Sequence, residues 1–381
     1  MNCRERTLAA LDHKEPDRVP LDFGGRHTTL HLDAHQALMR YLGLSGPEPH
    51  IRSYHTYLVE PDPQLLERFE RVTTLFFPKT PDSYVFSIDP ATNTYVDEWG
   101  TRYYRPPDGY YYDIAAVPLP DAETETDLMK YQWPNPSDPS RIAGLVEKAR
   151  NAHAAGDKVL MMSGATPGLW EHSWYVFGIE KAFMNLAANQ LLMEAFTEHL
   201  LEWQMAYWHM ALTGLGSYLD LVQLNEDLGT QRGPMMSLAT FRQIYKPRLR
   251  RLVDNILRQT KARVYLHSCG SIVRFIPEII ECGIQVLNPV QVNAEGMDSS
   301  RLKREFGKDL TFWGGGCDPV VLQTGTPRDV IEEVKRRIHD LAPGGGFVFG
   351  PVHNIQAKVP PRNIVALFDA AREFGDYPIH V

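Results

Sequence analysis

The sequence predicts an α/β fold built as a closed (β/α)8 TIM barrel. Short and nearly continuous apolar runs alternate with segments of helical periodicity, which is typical of parallel strands buried on both faces. Eight such runs occur, and that number favours a closed barrel over an open sheet. The chain has 381 residues, a length that suits one barrel domain spanning residues 1–381.

The predicted elements begin with an N-terminal helical segment over Arg4–Leu11, which ends before Pro16. The eight apolar runs that follow are 19–25, 72–77, 159–164, 219–224, 263–266, 285–288, 310–314 and 346–350. Helices are predicted between the later runs, over 272–282, 300–306 (after a cap at Asp298-Ser299) and 329–341 (after Thr326-Pro327).

One segment does not fit a bare barrel. Residues 83–120 are rich in tyrosine, proline and aspartate, and they predict an antiparallel β-rich insertion near the barrel mouth. Its aromatic residues, such as Trp99, Tyr103 and Tyr110, could grip a flat substrate. Packing of the insertion on the barrel explains the same residues and is the simpler interpretation.

The composition of the chain limits which kinds of partner and which cellular location are expected. The net charge is −8, from 39 basic and 47 acidic residues with no long run of either sign, which argues against nucleic acid as a partner. No stretch approaches the ~18 consecutive apolar residues that span a bilayer, so no membrane contact is expected. The N-terminus lacks the apolar segment of a signal peptide, so we expect a cytoplasmic protein with reduced thiols.

Polar residues follow the later predicted strands, at the barrel face where such folds carry their chemistry. They are Asn225, Glu226 and Asp227 after strand four, His267 and Cys269 at strand five, Asn288 at strand six, Cys317 and Asp318 at strand seven, and His353 and Asn354 at strand eight. Two thiols, two imidazoles and several carboxylates are thus expected to meet at one mouth.

His267 and Cys269 are two residues apart, so they share a face of an extended strand, and Cys317 lies two strands further round. Thiolates and imidazole suit zinc, and three protein ligands would leave the open position of a catalytic site. Alternatively, the cysteines are small core residues and the histidine is a satisfied core residue. A fourth ligand could be Glu226 or His353, either of which could instead orient a substrate.

Several segments resemble the uroporphyrinogen decarboxylase superfamily, and within it the corrinoid-dependent methyltransferases. They are Arg4–Arg6 through Pro16–Pro20, Glu226–Gly229, His267-Ser268-Cys269, Leu287–Gln291, Phe312–Asp318 and Pro343–Gln356. The resemblance implies a single barrel and a zinc site at His267 and Cys269 with a more distant cysteine. Cys317 is our candidate for that cysteine, although the last strand offers His353 at the corresponding place.

Decarboxylases of this superfamily carry an Arg-Gln-Ala-Gly-Arg-Tyr segment near the N-terminus and an aspartate after the second strand. This chain has Phe23-Gly24-Gly25-Arg26-His27 and Phe76-Phe77-Pro78-Lys79 at those places. The departure disfavours porphyrinogen decarboxylation, which we keep as the alternative. A different metal-dependent lyase or hydrolase and a non-catalytic corrinoid or porphyrin carrier are further alternatives.

The resemblance therefore predicts a zinc-dependent methyltransferase acting between a small methylated substrate (methyl ether, methylamine or methyl thiol) and a corrinoid carried by a partner protein. A homodimer is an option for its assembly. Glu226, Asp227 and His353 are the predicted catalytic residues, because they could manage the proton of the leaving group. The residues predicted to bind the cofactor are Asn225, Asn288, Asp318 and Asn354.

Overall fold

Seven parallel strands form a curled sheet at the centre of the structure, a computed structural model that describes residues 1–380. The described residues contain thirteen strands in all, seven in this sheet and six in two small antiparallel sheets. In chain order, the thirteen strands are Leu30–His31 (β1), Ile51–Ser53 (β2), Leu58–Val59 (β3), Thr73–Phe76 (β4), Thr94–Val96 (β5), Arg102–Tyr104 (β6), Asp113–Ala116 (β7), Val159–Ser163 (β8), Leu221–Asn225 (β9), Arg263–His267 (β10), Val286–Asn288 (β11), Thr311–Trp313 (β12) and Phe347–Val348 (β13). The central sheet has the order β13-β12-β11-β10-β9-β8-β4. Seven of the eight predicted runs are thereby confirmed as parallel strands.

The first predicted run lies between the two ends of this sheet without forming a regular strand. Leu21 makes a parallel bridge with Phe349, and the Asp22 N–H donates to the Phe349 carbonyl at 2.8 Å. On the other side the Phe23 N–H donates to the Glu70 carbonyl at 2.9 Å. Pro20 has no N–H to offer a ladder, which limits the pairing of this run. The fold is TIM-barrel-like, as predicted, and the single-domain organisation stays a prediction.

Helices surround the sheet and alternate with its strands. In chain order they are Cys3–Leu11 (α1), Leu32–Tyr41 (α2), Pro63–Phe69 (α3), Glu125–Lys130 (α4), Leu145–Ala155 (α5), His172–Phe177 (α6), Ile179–Ala188 (α7), Gln190–Leu215 (α8), Leu238–Thr240 (α9), Lys246–Leu257 (α10), Ile276–Glu281 (α11), Ser299–Phe306 (α12), Pro319–Thr324 (α13), Pro327–Leu341 (α14) and Pro361–Phe374 (α15). Among residues 1–380, no helix combines the length and the apolar composition that crossing a bilayer requires.

The predicted helix caps are present where the sequence placed them. The Asp298 side chain accepts the Arg301 N–H at the start of α12, and Thr326 and Asp329 form a reciprocal capping box at the start of α14. The predicted helix over 272–282 is shorter, because α11 begins only at Ile276. The residues before it form an irregular loop that returns to the mouth of the barrel.

The barrel interior is filled by alternate side chains of its strands, since successive strand residues point to opposite faces. This interior cluster consists of Val72, Val159, Met161, Leu221, Tyr265, Val286, Trp313 and Val348, with Leu11 of α1 packed against it. Each apolar side chain buried in this way contributes about 1.5–3 kcal/mol relative to exposure. The interior is therefore a packed core, and chemistry is confined to the mouth, where the strands end.

The segment 83–120 contains an antiparallel sheet of β5, β6 and β7, as predicted. Tyr95, Tyr103 and Tyr112 are buried together beneath it and form a small separate core. A second antiparallel sheet, in which β3 pairs with β1 and β2, was not predicted from the sequence. Strands of two or three residues are too short to leave a recognisable alternation pattern.

Asp97 is a largely buried carboxyl group inside the insertion. It accepts hydrogen bonds from the backbone N–H groups of Trp99 and Thr101, each at 2.9 Å, and from the Tyr103 hydroxyl at 3.1 Å. Burial raises its pKa to about 6, because desolvation of the carboxylate outweighs these three donors.

Replacing Asp97 by Asn should make unfolding less dependent on pH. The folded pKa of Asp97 lies above its unfolded value, so its ionisation lowers the free energy of unfolding as pH rises from about 4 to above 6, by roughly 3 kcal/mol at most. Asn keeps the two backbone bonds without ionising. We expect the stability difference between the natural chain and Asp97→Asn, measured by urea unfolding, to shrink or reverse over that range. A difference that stays constant from pH 4 to pH 7 would contradict the assignment.

Candidate metal centre and its cavity

Three side chains come together at the mouth of the barrel: His267, Cys269 and His353. One ligand atom from each lies within 4.8 Å of the other two, and the His267 Nε2 is 3.4 Å from the Cys269 Sγ. His267 is the last residue of β10, Cys269 lies in the loop that follows, and His353 comes after β13. Barrel closure thus brings together residues that are 86 positions apart in sequence.

The His267 ring is held in one orientation by Asn288, the last residue of β11. The Asn288 amide nitrogen donates to the Trp313 carbonyl at 2.8 Å, so its oxygen faces His267 Nδ1 at 2.6 Å. An amide oxygen only accepts, so Nδ1 carries the ring proton and the lone pair lies on Nε2, next to the thiol. Partners of this kind fix metal-binding histidines. Asn288, which we predicted to contact the cofactor, instead orients His267.

The protonation states of the group suit a metal ion. Burial lowers the pKa values of His267 and His353, each to about 4, so both imidazoles are neutral at neutral pH and can offer lone pairs. Burial and the negative charge of Asp227 and Glu171 raise the pKa of the Cys269 thiol. A cation at this place would counter both effects on the thiol. The donor set of two imidazoles and one thiol fits zinc.

Cys317 does not join this group, which corrects our prediction that it is a metal ligand. Gly314 and Gly315 follow β12 with φ values of +84° and +85°, in the left-handed region that glycine tolerates. They turn the chain away from the mouth. The Cys317 thiol is fully buried in the apolar layer between sheet and helices, and its Sγ is 3.4 Å from the Asp318 carbonyl. His353 occupies the place that we assigned to Cys317.

Glu226 is buried next to the site, and its carboxylate is engaged by the backbone. It accepts the N–H groups of Leu169 at 2.6 Å, Trp170 at 2.9 Å and Glu171 at 3.1 Å. Burial raises its pKa to about 8, against the effect of these donors. These hydrogen bonds let Glu226 position the loop before α6, and Glu226 lies outside the group of His267, Cys269 and His353. Its catalytic role stays a prediction.

The other predicted residues divide between the mouth and the outside of the barrel. Asp227, Asn225 and Asn354 line the cavity above the candidate ligands. The Asp227 Oδ1 accepts the Cys269 N–H at 2.9 Å, which ties the metal-binding loop to the end of β9. Asp318 lies away from the cavity, where its side chain caps α13 by accepting the Val320 N–H at 2.8 Å. The prediction that Asp318 contacts a cofactor is therefore corrected.

The cavity has a volume of about 690 Å³ and lies between the barrel mouth and the insertion. On the barrel side it is lined by His267, His353 and Asp227. The insertion contributes an aromatic wall made of Tyr84, Phe86, Tyr95, Trp99 and Tyr103. The insertion predicted near the mouth therefore forms one side of the cavity.

Three further ionisable residues line the cavity; of these, the sequence suggested only Arg26, as a residue that could recognise a carboxylate. His27 stacks on His267 with ring centroids 3.7 Å apart, and Arg26 lies beside it with its guanidinium 5.3 Å from the Phe77 ring centroid. Both follow the first apolar run, whose glycines signalled a strand end. Glu171, at the start of α6, also lines the cavity. It lies eight residues beyond β8, too far from a strand end for the sequence to single it out.

Glu171 and Asp227 are neighbouring carboxyl groups. The Glu171 Oε2 accepts the Asp227 N–H at 3.4 Å, and burial together with the charges of Asp227 and Glu226 raises the Glu171 pKa. Burial also raises the pKa of Asp227. The cavity therefore brings together imidazole groups that could hold a metal ion, two carboxyl groups that can exchange a proton, and the guanidinium of Arg26.

The chain is similar to one protein family and to several solved structures. A family model described as uroporphyrinogen decarboxylase (URO-D) matches residues 112–374, more than half of the chain. The solved structure of a methyltransferase from Methanosarcina mazei is similar over 98% of this chain and 99% of that one, with a TM-score of 0.62 and 19% identity. This similarity supports the barrel fold. No curated protein sequence matches the chain.

Two further solved structures are more distant. The alignment with a B12-independent methionine synthase from Shewanella sp. W3-18-1 includes 60% of this chain and 67% of the synthase chain, with 10% identity and a TM-score of 0.32. A 3-keto-D-glucoside 4-epimerase from E. coli covers 60% of this chain and 84% of its own, with 16% identity and a TM-score of 0.34. These similarities are too low to support an inference about the site.

Substituting Glu226 by Gln should destabilise the loop before α6. The amide nitrogen cannot accept a backbone N–H, so at least one of three buried donors loses its partner, at a cost of about 1–3 kcal/mol. Chemical denaturation of Glu226→Gln should show this loss. The matched change Glu180→Gln, at an exposed position of α7, should leave the free energy of unfolding within about 0.5 kcal/mol of its natural value. Equal stability of both variants would argue against the positioning role.

Proposed function

The chain belongs to the uroporphyrinogen decarboxylase family, and we propose that it is a zinc-dependent methyltransferase of that family. In this proposal it moves a methyl group between a small methylated substrate and a corrinoid carried by a partner protein. The observation that carries the proposal is the group of His267, Cys269 and His353, of which the two histidines line the cavity at the barrel mouth. The whole-chain similarity to a methyltransferase fold from Methanosarcina mazei supports the same reaction class.

Zinc is the ion that the donor set favours, and His267 Nε2, Cys269 Sγ and one His353 nitrogen would hold it. Three protein ligands leave a position for a substrate atom, as in catalytic rather than structural zinc sites. When bound, zinc would supply a Lewis acid that takes up the electron pair left on the atom losing its methyl group.

The chain's own residues contribute orientation, charge and shielding. Asn288 fixes the tautomer of His267, and Asp227 holds the Cys269 loop in place through the backbone N–H. The insertion forms one side of the cavity, where its aromatic side chains would replace part of the water around a bound substrate. Arg26 faces the same space and would orient a substrate that carries an anionic group.

Nothing in the cavity specifically favours porphyrinogen decarboxylation. At the end of β4, where decarboxylases carry an aspartate, Phe77 lies against the guanidinium groups of Arg26 and Arg52. That place therefore lacks the carboxylate that would bind pyrrole N–H groups. The methyl substrate is of ether, amine or thiol type, and the methyl acceptor or donor at the mouth is the corrinoid.

Metal content and methyl transfer should be lost together in two variants and kept in a third. Cys269→Ala and His353→Ala each remove a proposed ligand, so we expect less than one-tenth of the natural zinc content after dialysis, and no methylation of free cob(I)alamin. Cys317→Ala is the matched control, because it removes a buried thiol that lies outside the group. Zinc is measured by elemental analysis, and methylation by the absorbance change of the corrinoid.

The methyl donors for this assay are methoxylated aromatics, methylamines and methyl thiols. Full zinc in Cys269→Ala would remove that thiol from the site. Loss of zinc in a folded Cys317→Ala chain would restore our original assignment of that residue. Zinc binding without cob(I)alamin methylation by any donor class would sink the methyltransferase proposal while leaving the metal centre intact.

A further inference from the structure

We infer that the methylated substrate is an N-methyl ammonium compound that also carries a carboxylate, held between the Glu171–Asp227 pair and Arg26. This inference rests on the proposed function and narrows its substrate class. Three features of the cavity carry it: an acidic end without a cation, a basic end without an anion, and an aromatic wall between insertion and barrel.

The acidic end consists of Glu171 and Asp227, which lie side by side on the cavity wall. Within residues 1–380, no lysine or arginine nitrogen lies within 4.0 Å of either carboxylate. The carboxyl of Glu98, which also lines the cavity, is by contrast paired with Arg141 at 2.5 Å. No basic side chain pairs this acidic end, so an ammonium group on the ligand would supply positive charge there, in addition to that of the proposed zinc ion.

The aromatic wall suits a methylated ammonium group. Tyr175 follows Glu171 by one helical turn and lines the cavity near both carboxyl groups, whose charges together with burial raise its pKa. Tyr95, Trp99 and Tyr103 of the insertion continue the wall. Aromatic faces attract ammonium ions whose methyl groups displace water, and the attraction grows when the site is shielded from solvent.

The basic end is Arg26. Its Nε donates to the Ser163 Oγ at 3.1 Å, and within residues 1–380 no carboxylate forms a salt bridge with it. Asn354 is an independent indication of an acceptor ligand, since it is only 5% exposed and lines the same cavity. Its Oδ1 accepts the Thr29 N–H at 3.0 Å, while its amide nitrogen makes no hydrogen bond within the described residues. Arginine and an amide N–H are suitable donors for a carboxylate.

The two ends face the same space without neutralising each other. The negative charge of Glu171 partly offsets the burial that lowers the Arg26 pKa, yet the two groups form no salt bridge. A ligand with an ammonium at one end and a carboxylate at the other would span this gap and pair both charges. A neutral methyl ether or thiol would leave the acidic end unpaired.

The methyl transfer balances with the corrinoid as the methyl acceptor. The carbon–nitrogen bond of the ammonium group breaks, and its electron pair stays on nitrogen, so a neutral amine leaves. Cobalt(I) of the corrinoid supplies the electron pair of the new cobalt–carbon bond. No proton, oxidant or further reactant is needed.

The first test compares N,N,N-trimethylglycine with 3,3-dimethylbutanoate, which has the same shape and carboxylate but a carbon in place of the ammonium nitrogen. The quaternary nitrogen has no lone pair and cannot coordinate zinc, so a difference in affinity reports the ammonium charge. Isothermal titration calorimetry of the zinc-loaded chain should show trimethylglycine binding at least about tenfold more tightly. Equal or tighter binding of 3,3-dimethylbutanoate would overturn the inference. Binding is measured without corrinoid, so this outcome is independent of whether methyl transfer occurs.

The second test removes each end. Either carboxylate alone can hold a cation, so we expect the double variant Glu171→Gln/Asp227→Asn to lose the tenfold preference, while Glu180→Gln on the exposed face of α7 keeps it. In the natural chain we expect trimethylglycine to bind more tightly than choline, which has no carboxylate, and this advantage should be lost in Arg26→Gln. A folded double variant that retains the preference would assign the ammonium site elsewhere and overturn the inference. Selective binding in a chain that fails to methylate cob(I)alamin would support the binding site and refute the proposed function.

Discussion

The hydrogen bond from His267 Nδ1 to Asn288 is the constraint on which the proposed metal site depends. It joins the ends of β10 and β11, and Asn288 is fixed in turn by the Trp313 carbonyl at the end of β12. Three neighbouring strands thereby determine where one imidazole lone pair lies. Because Asn288 is fully buried, water cannot compete for these bonds, and the ring keeps one tautomer whether or not a ligand is present.

The ionisable groups at the barrel mouth are buried, and few of them have a partner of opposite charge. His267 and His353 are kept neutral, and the thiol and the carboxyl groups of Glu171 and Asp227 are shifted towards their protonated forms. The aromatic rings of the insertion line the same cavity. Added positive charge, from the proposed metal ion or from the proposed substrate, would favour the ionised forms of the thiol and the carboxyl groups.

Local sequence was a sound guide wherever a residue directly ended a strand. His267 and Asn288 close β10 and β11, and the alternation of the parallel strands fixed which way they point. It failed at Cys317, because three glycines between the strand and the cysteine redirect the chain, and no periodicity reports such a turn. Glu171 was missed for a related reason: it reaches the cavity only because Glu226 holds the loop before α6.

The sequence by itself determined the barrel, the antiparallel insertion, and the pair of His267 and Cys269, because hydrophobic periodicity and residue spacing are local properties. Only the tertiary structure decided that His353 rather than Cys317 completes the group, and that Arg26 and Glu171 face one cavity. Those contacts join residues far apart in the chain. These contacts form because the sheet curls until the first apolar run, at Leu21, lies beside the last one, at Phe349. The loops that follow distant strands therefore meet at one mouth.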